Sequence, residues 1–424
     1  MEQFVINGGV PLNGTFTPSG NKNAALPILA ACLLTDKPVI LHNVPQIGDV
    51  LTLKQILEHL GVTVTHQNKH TWIVHAKSIV GHSPDPMLCR NIRASILLAG
   101  PMLARYGQLT LPPPGGDVIG RRRLDTHILA LEALGCSIEG TNPFRFIAKQ
   151  LVGTDILLDE ASVTATENAV MASVLAKGTT ILRNAASEPH VQELCKFLND
   201  IGANITGIGS NMLTIHGVSE LGGGEHIIGP DYLEVVSFIG AAAATGGEIR
   251  IKNSGANHLK MAELVFARLG IVWQIQSEDI IVTSNQTLNI TPDLNDVIPK
   301  VDDAPWPGFP ADMMSIAIVV ATQCKGTVLF HEKLFESRLH FVDKLIAMGA
   351  QIIMCDPHRC IVQGPTILQS ETLESPDIRA GMALLIAALC AKGKSIIRNI
   401  NQIERGYEGI DDKLRSLGAD IHRL

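Results

Sequence analysis

Six stretches of this chain share one pattern: LGVTV (60–64), LGCSI (134–138), IGANI (201–205), LGIVW (269–273), MGAQI (348–352) and LGADI (417–421). Each is a bulky apolar residue, a glycine and the start of a strand. Their glycines, Gly61, Gly135, Gly202, Gly270, Gly349 and Gly418, follow one another at intervals of 67 to 79 residues. A period sustained across 424 residues marks six copies of one supersecondary unit.

Each copy has the same parts. An apolar, small-residue helix comes first: NAALPILAACLL, ASILLAGPMLA, ENAVMASVLA, EVVSFIGAAAA, MMSIAIVVA and GMALLIAALCA. A strand of alternating character follows, as in PVILHN, GTTILRN, GEIRIKN and KSIIRN. An amphipathic helix such as LTLKQILEHLG then ends at its C′ glycine. Helices apolar on every face belong inside a domain, so the strands and amphipathic helices must lie outside them. The expected fold is α/β: two inside-out domains of three repeats each, residues 22–229 and residues 1–21 with 230–424. The chain is expected to cross between them near residue 20 and in HIIGPDY (226–232), with a cleft between the domains.

Composition narrows the function. Hydrophobic residues make up 46% and charged residues 18%, which is globular, and the net charge of −7 gives no whole-chain basicity for nucleic acid or an acidic membrane. No apolar run reaches the roughly 18–20 residues of a membrane span. MEQFVINGGV lacks a signal peptide's basic and apolar regions. None of the eight cysteines lies in a C-x-x-C pair, so buried free thiols and a cytoplasmic setting are expected.

The charges carry more. Aligning the starts of the six apolar helices gives Lys22, Arg93, Glu167, Glu234, Asp312 and Arg379. Carboxylates suit the positive end of a helix dipole; Lys and Arg there oppose it by a few tenths of a kcal/mol each. Cations at helix N-termini make sense when an anion lies between them. Arg122, Arg338 and Arg405 precede the second helices of three units. Converging at a cleft, Lys22, Arg93, Arg122, Arg338, Arg379 and Arg405 would hold a small polyanion, each charge-assisted bond being worth roughly 1.5–3 kcal/mol. Asp312, among these cations, could take a hydroxyl proton. The arginines make it a weak base towards a free alcohol, so the proton would leave as the C–O bond forms.

At these residues the chain resembles the enolpyruvyl transferases, on the branch that uses a nucleotide-sugar acceptor. The resemblance spans essentially the whole chain and is carried by SGNKNAALPIL, GGDVIGRRRLDTH, SVTATEN, the EP at 188–189, WPGFPADM, LFESR and IERGYEGIDDKLRSLGA. It implies transfer of enolpyruvyl from phosphoenolpyruvate to the 3′-hydroxyl of UDP-N-acetylglucosamine with loss of phosphate, for peptidoglycan synthesis, and neither metal nor organic cofactor. By similarity Lys22, Arg122 and Arg405 hold the phosphate and carboxylate of the donor, with Arg93 and Arg379 alongside. Asp312 takes the hydroxyl proton. Asn23, the 122–127 turn with Asp125 and the 162–166 turn with Ser162 and Val163 hold the acceptor, and Phe335 and Arg338 are further substrate-binding residues.

The segment PPGGDVIGRRR (113–123) then resembles a lid closing on the site, its glycines giving it freedom. Most relatives carry cysteine where this chain has Asp117. An aspartic acid can still donate a proton or assist product release, so Asp117 counts as catalytic. It is a far weaker nucleophile than a thiolate, and fosfomycin, which alkylates that cysteine in typical relatives, is expected not to inactivate this protein covalently. Other departures are Thr164 for glycine, Gln402 for histidine, Tyr232 for arginine and Ala311 for threonine. They gather towards the acceptor, so an enolpyruvyl transferase with another hydroxyl acceptor is the alternative. The GNAGTAMR-type segment of the shikimate enzymes is absent. Net acidity counts against a relative of the RNA 3′-phosphate cyclases, and retention of Lys22 and Asp312 against a non-catalytic paralogue.

Overall fold

The computed structural model describes residues 2–116, 119–120 and 122–424. The chain forms two compact units. One runs from Gly20 to Gly229 apart from Ile119 and Gly120. The other holds the chain up to Ser19, Ile119 with Gly120, and Pro230–Leu424. Among the described residues, no helix is long and apolar enough to cross a membrane.

In the Gly20–Gly229 unit the buried helices are Lys22–Ala31, the 3₁₀ turn Arg93–Leu98 running into Ala99–Tyr106, and Val163–Ser173. Every residue of Lys22–Ala31 but Asn23 is buried. Outside them lie Gly48–His59, Asp125–Ala133 and Pro189–Asp200, each burying one face. In the other unit Tyr232–Thr245, Ala311–Ala321 and Ile378–Cys390 fill the core. Small residues let these helices touch. A Cβ on Gly240 would sit 2.9 Å from Val320 and 3.0 Å from Ile316 on the neighbouring helix.

Each unit carries three sheets among the described residues. In the repeat that ends at Gly202, the central strand Thr179–Arg183 pairs antiparallel with the hairpin after the glycine and parallel with the strand before the repeat's own buried helix, Asp155–Leu157. At the two crossings this last pairing is exchanged. Asn13–Phe16, which precedes helix Lys22–Ala31, pairs parallel with Glu248–Ile251, and Gly224–Ile227, which precedes Tyr232–Thr245, pairs with Val39–His42.

All six repeat glycines have positive φ, from 79° at Gly270 to 110° at Gly202. That is the C′ geometry for which a residue without Cβ is preferred. A second repeat signature went unnoticed in the sequence. Asn43, Asn184, Asn253 and Asn399, just after four central strands, are left-handed with φ of 48–57°, which asparagine tolerates. Asn43, Asn184 and Asn399 donate their amides to the carbonyls of Ile228, Leu158 and Ser375.

Of the two carboxylates expected at helix starts, Glu234 lies in the first turn of Tyr232–Thr245, and Glu167 does not. Glu167 lies a turn inside Val163–Ser173, fully buried, and burial followed by the Glu188 charge holds its carboxyl well above the ordinary value. Glu234 is buried and accepts from the Lys413 ammonium and the Ser19 N–H.

Candidate active site

In the Gly20–Gly229 unit, Asn21 caps helix Lys22–Ala31 by accepting from Asn23 N–H at 2.8 Å. This places Lys22 at the first helical position, 9% exposed, with Nζ 3.4 Å from Asp49 Oδ2. Asp49 was not anticipated: it neutralises part of a cation that otherwise meets the positive helix end.

Arg93 opens its 3₁₀ turn and donates through Nη2 to the Arg123 carbonyl at 2.8 Å. Burial, then the Arg122 charge, push its pKa down to about 10. Two cations therefore approach each other here, an unfavourable arrangement that an anion would relieve. The loop backbone presses on both. A Cβ on Gly116 would meet Arg93 Cβ at 3.0 Å and Arg122 Nη1 at 3.5 Å, and one on Gly115 would lie 1.5 Å from the Arg90 carbonyl oxygen. These glycines therefore serve close approach, a reason beyond the freedom read from the sequence. Asp117 lies outside the described residues.

The segments expected as turns at 122–127 and 162–166 are helix starts. Asp125 begins Asp125–Ala133, and its carboxylate takes a two-pronged bond from exposed Arg123, at 2.6 and 2.8 Å. Ser162 is the N-cap of Val163–Ser173, without a side-chain capping bond, and Val163 is its first residue. Beneath them lies a polar relay that the sequence reading missed. Asn168 donates to the Ile96 carbonyl and to His127 Nδ1, both at 2.9 Å, and its Oδ1 accepts from Gly100 N–H. With Nδ1 accepting, the proton of a neutral His127 sits on Nε2 and is donated to Thr164 Oγ1 at 3.0 Å. Burial, then the Arg93 charge, drive His127 down to about 3.

In the other unit Asp312, in the first turn of Ala311–Ala321, sits between two buried guanidiniums. Arg338 Nη2 donates to its Oδ1 at 2.6 Å and Arg379 Nε to its Oδ2 at 3.3 Å. Each arginine is 3% exposed and lies over an aromatic ring, Arg338 over Phe335 and Arg379 over Tyr407, both at 5.3 Å. Burial alone would lower the Arg379 pKa, but Tyr407, Asp312 and Asp231 outweigh it and hold the guanidinium charged. Asp377 fixes Arg379 from below by accepting its N–H at 2.8 Å as helix N-cap. Arg405 does not open a helix: it closes Asn401–Glu404 and donates through Nη1 to Gln402 Oε1 at 2.9 Å. Tyr232 is buried edge-on to Trp306, 6.3 Å between centroids. The structure thus groups Lys22, Asn23, Arg93, Arg122, Asp125, Ser162 and Val163 in one unit. The other unit holds Asp312, Phe335, Arg338, Arg379 and Arg405.

A family model described as EPSP synthase (3-phosphoshikimate 1-carboxyvinyltransferase) matches residues 6–414. A UDP-N-acetylglucosamine 1-carboxyvinyltransferase of Bradyrhizobium diazoefficiens is 56% identical over 100% of this chain and 98% of its own. Proteins of the same name from Treponema denticola and Borreliella burgdorferi are 55% and 50% identical, over 99% and 100% of this chain and 99% of theirs. Among solved structures, the enolpyruvyl transferase NikO from Streptomyces tendae superposes with a TM-score of 0.87 at 24% identity, covering 100% of this chain and 99% of that one. An EPSP synthase from Acinetobacter baumannii does so at 0.78 and 18%, covering both chains fully. These two likenesses show the fold. With a family model matched along nearly its whole length and relatives more than half identical across it, the protein belongs to the EPSP synthase family of carboxyvinyltransferases.

Proposed function

We propose that the protein transfers the enolpyruvyl group of phosphoenolpyruvate to the 3′-hydroxyl of UDP-N-acetylglucosamine and releases phosphate, the first committed step of peptidoglycan precursor synthesis. The observation that carries this reading is the full-length identity of 50–56% to proteins named for that acceptor, against 18% to a solved EPSP synthase.

The residues suit the chemistry. Protonating C3 of the enol makes C2 electrophilic; the hydroxyl attacks, and the tetrahedral ketal then expels phosphate and gives up one C3 proton, which restores the double bond. Lys22, Arg122 and Arg405 take the donor's phosphate and carboxylate, with Arg93 and Arg379 alongside. The repulsion between Arg93 and Arg122 favours a bound anion there, and fixed cations also stabilise the departing phosphate. Asp312 accepts the hydroxyl proton as the C–O bond forms. Its oxygens accept from Arg338 and Arg379, which fixes the orientation of the carboxylate. Asn23, Asp125, Ser162, Val163 and Phe335 belong to acceptor binding, and Asp117 to proton delivery or product release. A phosphorylated donor and a nucleotide-linked acceptor fit a cytoplasmic location.

The acceptor is tested by offering UDP-N-acetylglucosamine and shikimate 3-phosphate separately with phosphoenolpyruvate and weighing the products. An enolpyruvyl ether of the nucleotide sugar alone is expected; a shikimate product would overturn the reading.

A further inference from the structure

Behind Arg338 lies a pair of carboxyls that the reaction does not use. Glu332 and Asp303 are both fully buried. Asp303 accepts from the N–H groups of Lys333 and Leu334, and Glu332 Oε1 accepts from the N–H of Phe335 at 3.2 Å. Three successive amides of the 332–335 turn are thus held by two side chains. The turn carries Phe335, whose ring lies over the Arg338 guanidinium, and Arg338 in turn holds Asp312.

Two adjacent buried carboxylates cannot both be charged without strong repulsion. Glu332 Oε2 is buried and meets no N–H or O–H donor among the described residues; its companion is the Asp303 carboxyl. A single proton between them satisfies both groups. We propose that Glu332 and Asp303 share one proton and act as a positioning pair, closing the 332–335 turn so that Phe335 and Arg338 are set against Asp312.

The surroundings agree. Burial, then Asp303, push the Glu332 acid up to about 9, with Arg338 the opposing charge. From the hairpin turn between Gln351–Asp356 and Arg359–Gly364, His358 accepts from Glu332 N–H through its carbonyl, and its Nδ1–H donates to the Glu332 carbonyl, each at 2.8 Å. Beyond Asp303 lies Asp302 with Lys300, Lys333 and His331. The two lysines pair with Asp302. An acid raised from 4.5 to about 9 is protonated in the native state and ionised in the unfolded chain, so native stability falls as pH rises through that window.

The role in setting Arg338 rests on the proposed reaction; the shared proton does not. The test uses Glu332→Gln, whose amide still accepts from Phe335 and donates to Asp303 but cannot ionise, and Asp303→Ala, which leaves two amides unheld. Three readouts are taken from pH 5 to 9.5: melting temperature, deuterium exchange of the 332–338 segment, and kcat/KM for enolpyruvyl transfer. The proposal expects Glu332→Gln to gain on wild type in melting temperature as pH rises and to keep wild-type protection of the segment. Its alkaline limb should move up by about one pH unit or more. Asp303→Ala should lose the protection and raise KM or lower kcat at least about tenfold. A melting difference independent of pH, or unchanged protection in Asp303→Ala, would overturn the pair. Superimposable pH profiles of wild type and Glu332→Gln would overturn its role in positioning Arg338. Absence of transfer in wild type would count against the proposed function instead, and melting and exchange would still judge the pair.

Discussion

Arg338 Nη2 stands 2.6 Å from Asp312 Oδ1, with the guanidinium side chain 3% exposed and the carboxylate 31%. The buried partner is thus the cation, and the more exposed one is the group with protons to exchange. Neutralising Asp312 removes a counter-charge from two buried guanidiniums. Asp312→Asn is therefore expected to lower kcat by about 100-fold or more, the usual contribution of a positioned base, while phosphoenolpyruvate still binds. Single-turnover kinetics with a donor-binding titration check it.

His127 should not titrate in the physiological range. Its native value of about 3 lies below its ordinary 6.5. The unfolded chain therefore gains a proton that the native state refuses, and stability present above pH 6.5 is lost as pH falls towards 3. Between pH 7 and 5 this amounts to about 2 kcal/mol. Denaturant unfolding of wild type and His127→Gln at both pH values should show that difference in slope, and imidazole NMR should show the Nε2–H form throughout.

Thr164 receives the His127 proton, which leaves its own hydroxyl hydrogen free to turn towards a ligand. Thr164→Gly is expected to raise KM for UDP-N-acetylglucosamine about three- to tenfold, the worth of one hydrogen bond, with KM for phosphoenolpyruvate unchanged. Equal shifts in both constants would place Thr164 outside acceptor recognition.

Fosfomycin is expected to leave the protein covalently unmodified, because a carboxylate at position 117 attacks an epoxide far more slowly than a thiolate. Intact-mass spectra after incubation should be unshifted for wild type and shifted by one inhibitor in Asp117→Cys.

The six-fold repeat was legible because one requirement, a residue without Cβ at a helix C′ position, recurs as Gly61, Gly135, Gly202, Gly270, Gly349 and Gly418. Lys22, Arg93 and Arg379 stood out for a related reason: cations at helix starts oppose the dipole. Pairings set by packing left no such trace. Asp312 meets Arg338, later in its own repeat, and Arg379, in the next, across 26 and 67 residues of chain. The pairing of exposed Arg123 with Asp125 left none either. Glu332 and Asp303 did have a signal: each directly follows a strand, Gly326–His331 and Lys300–Asp302, where a carboxyl is poised to hold turn amides.

The most direct test of the account is phosphate release from phosphoenolpyruvate by the purified protein, with and without UDP-N-acetylglucosamine. The account predicts release that depends on the acceptor and is lost in Asp312→Asn and Lys22→Ala. Release without the acceptor, or none with it while phosphoenolpyruvate binds, would contradict it.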